Sequence, residues 1–315
     1  MRSTSRTLAL TAVLTLLLLA ACTAADEEQA EGPVEVVVTI NILGDLAERT
    51  FGPHAEVTTL MPPGADPHGF EISAAEAEGL ERADLLVSLG LGMEEQVGPI
   101  VEAAAEQGTP LLEVGEHLDP LPYGPEAIEE DPERPDPHVF TDPRRMVAVP
   151  ELLAEALLDA VGEQRVDTAA LRERVAEHTD ELRALDADVE QTLAVVPPED
   201  RVLVTNHHVF GYFAERYDFE VLGAVVPGGT TLASPSPADL ADLAAVIEEA
   251  GVPAIFADSS APTLLSEALA EEVDIEVEVV SLWTESLAGP GSGAETYDEM
   301  MRTNADTIAD VLVDD

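Results

Sequence analysis

The chain has 315 residues, of which 64 are Asp or Glu and only 14 are basic, all of them Arg, for a formal charge of −50 with its seven His neutral. That balance excludes a nucleic-acid binder, which needs clustered Lys and Arg against phosphate, and it excludes adsorption to anionic lipid by charge. A hydrophobic share of 46% excludes a disordered acidic tail, and the length suggests two domains with a sizeable core.

Arg2 and Arg6 precede an uncharged apolar run, residues 8–21, with Cys22 directly after it. The run is short of the roughly 20 residues a spanning helix needs, and the order of basic, apolar and small residues describes a secretory signal over 1–21. Leu19-Ala20-Ala21-Cys22 resembles the lipobox of bacterial lipoproteins, which implies lipidation at Cys22, an acidic linker over 22–33, and an exported protein held by lipid at the outer face of the cytoplasmic membrane or in the periplasm. Cys22 is the sole cysteine, so no disulfide framework is available and the fold rests on its core.

From there the pattern predicts an α/β lobe over 34–167. A β-branched run, 34–40, reads as a buried strand and leads into a helical pattern; strands follow at 56–61 and 84–89 around a helix at 73–82. This alternation indicates a parallel sheet. Residues 119–136, rich in Pro and acids, read as a surface loop with no core of its own. An uninterrupted helical pattern from Thr168 carries Leu171, Val175, Leu182, Leu185, Val189 and Leu193 on one face and stops at Pro197-Pro198. At 1.5 Å per residue it is roughly 40 Å long, a rigid strut over 168–196 rather than a coiled coil, which needs sustained heptads. A second α/β lobe occupies 197–315, with strands at 201–205, 220–225, 254–257 and 275–281 and a closing helix at 295–312. The expected fold is two parallel-sheet α/β lobes joined by a single long helix.

Three segments place a His just past a strand or beside turn breakers: Asp66-Pro67-His68, Asp136-Pro137-His138, and Asn206-His207-His208 after the strand at 201–205. A fourth candidate is Glu285, after the last strand. Zinc-like ions need three or four N, O or S donors converging from rigid elements, and in open α/β sheets ligands gather outside the carboxyl ends of the strands. Two candidates precede the strut and two follow it, so a shared site would lie in the cleft between lobes. Asp258 and Glu71 are the acids placed to orient an imidazole. His54, His117 and His178 read as surface residues, His178 on the polar side of the strut.

Taken together these motifs resemble the solute-binding lipoproteins of zinc and manganese ABC importers, a family of zinc-binding periplasmic proteins with streptococcal and treponemal relatives, over roughly residues 34–312. Gly64-Ala65-Asp66-Pro67-His68 is similar to the first ligand loop and Asp136-Pro137-His138-Val139-Phe140-Thr141-Asp142-Pro143 to the second. Val209-Phe210-Gly211-Tyr212-Phe213 resembles the third, which puts the ligand at His207 rather than His208, and Leu282-Trp283-Thr284-Glu285-Ser286-Leu287 resembles the fourth; Gly90-Leu91-Gly92-Met93-Glu94 is a weaker match. The resemblance implies a metal set of His68, His138, His207 and Glu285, delivery to a permease with its ATPase, a monomer, and little lobe movement on binding. Two departures stand out. Glu occupies position 285 where Asp is usual, and residues 119–136 contain no His where many zinc members carry a His-rich loop. A His at the third position accompanies zinc in this family, and a nitrogen-rich set suits Zn2+ over Mn2+, the alternative cargo. An exported zinc hydrolase and a surface adhesin remain as competing classes, the first disfavoured by the lack of a His-Glu-x-x-His helix.

Overall fold

A computed structural model describes residues 32–124, 128 and 131–313; the signal segment, Cys22 and most of the acidic linker lie outside the described residues. From Val34 onward the chain forms one compact body built on two four-stranded parallel sheets. The first contains β1 (Glu35–Val38), β2 (Glu56–Thr59), β3 (Leu85–Ser88) and β4 (Leu111–Glu113) in the order β2-β1-β3-β4. The second contains β5 (Val202–Thr205), β6 (Glu220–Ala224), β7 (Ala254–Asp258) and β8 (Glu278–Leu282) in the equivalent order β6-β5-β7-β8. In register, Val36 lies between Val57 and Leu85, and Ala254 lies beside Glu278.

The helices are α1 (Asn41–Phe51), α2 (Ala74–Leu80), α3 (Gly98–Glu106), a single turn α4 (Pro143–Met146), α5 (Val149–Val161), the long α6 (Thr168–Leu193), α7 (Gly211–Tyr217), α8 (Pro237–Ala250), α9 (Leu264–Glu272) and α10 (Tyr297–Val313). Local chemistry sets their ends. Ser73 and Glu76 form a reciprocal capping box at α2, as do Ser236 and Asp239 at α8, and Asp167 accepts the first free N–H groups of α6. Among the described residues no helix is long and apolar enough to cross a membrane.

The strut α6 is fastened on several sides by the scarce arginines. Arg49 of α1 reaches Glu181 at 2.7 Å and Asp298 of α10 at 2.8 Å, and Arg174 caps the carbonyls of Arg49 and Thr50. Arg216 of α7 grips both carboxylate oxygens of Asp186 at 2.8 Å, and Arg302 of α10 reaches Asp188. One continuous apolar core runs from the first sheet through α6 and α10 into α7 and part of the second sheet, with a smaller satellite core under α8.

The described ends of the 119–136 surface loop are tied to the body: Pro122 and Pro135 pair as an antiparallel bridge, the Leu121 carbonyl accepts from the Asp136 N–H at 2.8 Å, and Leu121 packs against the main core. One expectation needs correction. His178 is not on the polar side of the strut. It is 2% exposed, its Nδ1 lies 2.9 Å from Thr50 Oγ1, and its position continues the apolar stripe between Val175 and Leu182. β4 is an addition to the expected strands, because three residues carry too little periodicity to register as one.

Candidate metal centre

Loops leaving the carboxyl ends of β2, β5 and β8, with the segment entering α4, bring His68, His207, Glu285 and His138 together between the two sheets. One donor atom from each lies within 4.8 Å of the others. Glu285 Oε1 is 2.9 Å from His68 Nε2, 3.0 Å from His138 Nε2 and 2.9 Å from His207 Nε2. The three imidazoles are wholly buried and Glu285 is 1% exposed.

The repeated Asp-Pro-His pattern has a local cause. Asp66 Oδ1 accepts the His68 backbone N–H at 2.9 Å, and Asp136 Oδ1 accepts that of His138 at 2.9 Å, so each Asp closes a turn across a Pro of fixed φ and aims the imidazole inward. His207 is held where β5 ends, its carbonyl accepting from Thr205 Oγ1 at 2.6 Å. The Glu285 loop is fixed from both sides. Asn41 donates to Ser286 Oγ at 2.7 Å and accepts the Leu287 N–H at 2.8 Å, while Asn304 of α10 exchanges two hydrogen bonds with the Trp283 backbone at 3.0 and 2.7 Å.

Each ring also faces an acceptor on its other nitrogen. His138 Nδ1 lies 2.7 Å from Asp136 Oδ1, His207 Nδ1 lies 3.2 Å from Asn206 Oδ1, and His68 Nδ1 lies 3.3 Å from Glu95 Oε1, the last too poorly aligned to be a hydrogen bond. A neutral imidazole has one N–H, yet here each ring meets acceptors at both nitrogens. A tautomer with its proton on Nδ1 would turn the Nε2 lone pair of each ring toward the Glu285 carboxylate oxygen, which is the arrangement a cation would bridge. Glu285 Oε2, also buried, has no partner at all. A cation among the Nε2 atoms would relieve the crowding of those nitrogens on Glu285 and give its buried Oε2 a counter-charge.

The electrostatics follow from burial and charge. Burial by itself pushes His138 down, but the Asp136 carboxylate beside it and Glu285 outweigh that and raise it to about 9. Burial would raise Glu285, yet the His207 charge and its three imidazole contacts hold it well below the usual carboxylate range. Burial, then the Glu285 charge, raises Asp258 to about 6.

A roof crosses the site. Tyr123, from the acidic segment, donates to the Gly229 carbonyl at 3.1 Å and sets its ring edge-on to His138, and Thr231 Oγ1 donates to Asp66 Oδ2 at 2.6 Å. A Cβ at Gly229 would overlap the Tyr123 hydroxyl and ring, so that position admits only Gly while Tyr123 stays in place.

All four predicted donors converge, whereas the two predicted orienting acids do not act as expected. Asp258 is buried but bonds Ser260 and Thr284, and so steadies the residue before Glu285 rather than an imidazole. Glu71 is exposed and is bonded to no imidazole among the described residues. The acceptors facing the rings are Asp136, Asn206 and Glu95. The first two adjoin or nearly adjoin their His in sequence, which is the signal that could have found them; Glu95 is 27 residues from His68 and carries none. His208 lies outside the cluster, half-buried, with its imidazole pushed down to about 4 by burial and by His207. His54 and His117 are also outside it.

Two α/β sheets meeting at a buried cluster of three imidazoles and one carboxylate define a metal-binding protein of the two-lobed, helix-linked class. The model of the family "zinc-uptake complex component A periplasmic" matches residues 36–311, and the chain belongs to that family of metal-binding substrate-binding proteins of ABC importers. It is 32% identical over 287 residues to the zinc-binding protein TroA of Treponema pallidum, covering 90% of each chain. It is 28% identical over 302 residues to the manganese-binding lipoprotein MntA of Halalkalibacterium halodurans, covering 94% of this chain and 95% of that one. The solved structure of the periplasmic zinc-binding protein TroA from Treponema pallidum superposes with a TM-score of 0.80 at 31% identity, over 89% of this chain and 99% of that one.

Proposed function

We propose that the mature protein is an exported, lipid-anchored receptor that captures one Zn2+ through His68, His138, His207 and Glu285 and delivers it to an ABC permease and its ATPase. The observation that carries this reading is the convergence of three imidazole Nε2 atoms on one carboxylate oxygen, with an acceptor facing each Nδ1. Three nitrogens and one carboxylate suit zinc better than manganese, which favours oxygen donors. Relatives named for zinc and for manganese both support a divalent transition metal as cargo. Four protein donors also weigh against a hydrolase, since a catalytic zinc keeps one position open for water. The anchor rests on Cys22 and the name lipoprotein carried by a relative.

The test is titration of metal-stripped protein with zinc in competition with a chelator, repeated with manganese present. The parent should bind one zinc tightly and prefer it to manganese, and His138→Ala should weaken zinc severely. Parent-like binding by that variant removes the ligand assignment; a manganese preference removes the choice of zinc.

A further inference from the structure

We infer that Glu95 is the positioning residue for His68, taking its Nδ1–H once a cation occupies Nε2; this rests on the metal reading above. His68 Nδ1 and Glu95 Oε1 are two buried polar atoms without a hydrogen-bond partner, and they face each other at 3.3 Å. His138 and His207 already have Nδ1 hydrogen-bonded to Asp136 and Asn206. His68 is the one imidazole of the three whose contact is unfinished. A cation at Nε2 forces the remaining ring proton onto Nδ1, where a buried N–H needs an acceptor, and Glu95 is the one the structure supplies.

The fold builds this position with care. Glu94, itself buried, accepts from Thr39 Oγ1 at 2.5 Å and from the N–H groups of Leu89 and Gly90 at 2.8 and 3.1 Å, so it pins the turn after β3. Gly90, Leu91 and Gly92 all have positive φ in that turn, at 76°, 57° and 86°. Glu95 directly follows Glu94. Its side chain is 28% exposed and borders a cavity of about 360 Å3 shared with Glu102, Glu113 and Arg134, yet its Oε1 is sealed against His68. Its Oε1 makes no hydrogen bond, so the scaffold does not depend on that contact. At 3.3 Å the two atoms need only realign for the contact to become a hydrogen bond, which would fix the His68 tautomer and ring angle.

The experiment compares parent, Glu95→Ala and Glu95→Gln by zinc competition and by nitrogen-15 spectra of the histidine rings. Loss of an orienting partner typically costs 10- to 100-fold in metal affinity, and Glu95→Ala should lose on the order of that, with its metal-free unfolding midpoint unchanged. Glu95→Gln, whose amide oxygen still accepts, should stay within a few-fold of the parent. In the zinc-loaded parent and in Glu95→Gln the His68 Nδ1–H should be protected from exchange, and in Glu95→Ala that protection should vanish. Parent-like affinity of Glu95→Ala, an unchanged His68 signal, or a Gln variant as weak as Ala overturns the role of Glu95 and leaves the zinc reading standing. A parent that binds no zinc overturns both.

Discussion

His178 makes the stability of the metal-free protein depend on pH in a way that can be calculated. Its ring is buried between α1 and α6, Nδ1 meets Thr50, Nε2 has no partner, and Arg49 and Arg174 stand nearby. Burial first, then those two guanidinium charges, lower it from 6.5 to about 4. The sign follows directly: the unfolded chain takes up a proton near the ordinary value and the folded chain resists it, so this contribution is present above about pH 6.5 and is lost as pH falls toward about 4. A shift of this size is worth about 3 kcal/mol in full, of which about 2 kcal/mol is lost between about pH 7 and about pH 5. No discount for solvent is needed at 2% exposure. Urea unfolding of metal-free parent and His178→Leu at those two pH values isolates the effect, because every other titrating group is common to both. The variant should lose about 2 kcal/mol less than the parent on acidification. Parallel losses would show that His178 is not buried neutral at this interface.

Metal loading should release a proton below about pH 9, where the metal-free His138 is protonated, so apparent zinc affinity should climb by up to about tenfold per pH unit toward that value; a flat profile between about pH 6 and about pH 8 refutes it. Tyr123→Phe removes the hydroxyl that joins the acidic segment to Gly229 over a fully buried site. One such bond is worth about 1 kcal/mol, so zinc should leave about fivefold faster in stopped-flow chelation; an unchanged release rate removes the roof from the exchange path. Adding salt from about 0.1 M to about 1 M shortens the screening length from about 10 Å to about 3 Å and should raise the unfolding midpoint, because the repulsion it weakens outweighs the few arginine pairs. A flat response would remove salt adaptation as the reason for the acidity.

The fold is largely legible in the sequence because its elements alternate with clear periods. The buried run at β1, the breakers after β2 and the stripe along α6 each contain enough residues to declare a period. The donors are legible for a local reason, since an Asp two residues before His68 and His138 closes the turn that aims each ring. The groups facing the opposite ring nitrogens are legible only where they are near in sequence. Glu95 is brought to His68 by the turn after β3, and Tyr123 to His138 by a pairing of Pro122 with Pro135, and neither contact leaves a periodic trace. Glu71 misleads because, although near His68 in sequence, it is exposed and makes no bond to the ring. His178 misleads because a polar residue suggests exposure, although its spacing matches the buried stripe.

The acidity and the metal centre answer to different physics. The surface carboxylates make the potential around the protein negative and raise the local concentration of cations, an effect screened by salt and blind to the identity of the metal. The centre is closed to them: its three imidazoles have no exposure, and among the described residues Glu285 is the carboxylate within bonding distance of the Nε2 atoms. Charge can therefore increase the rate at which divalent ions arrive, but it cannot choose among them. The choice has to come from the buried nitrogens and from the acceptors behind them, because hard ions such as calcium and magnesium gain little from imidazole while zinc gains much. On the proposed reading the acidic coat would supply the general attraction for cations that a His-rich loop would otherwise add, and discrimination would begin where the first imidazole is met.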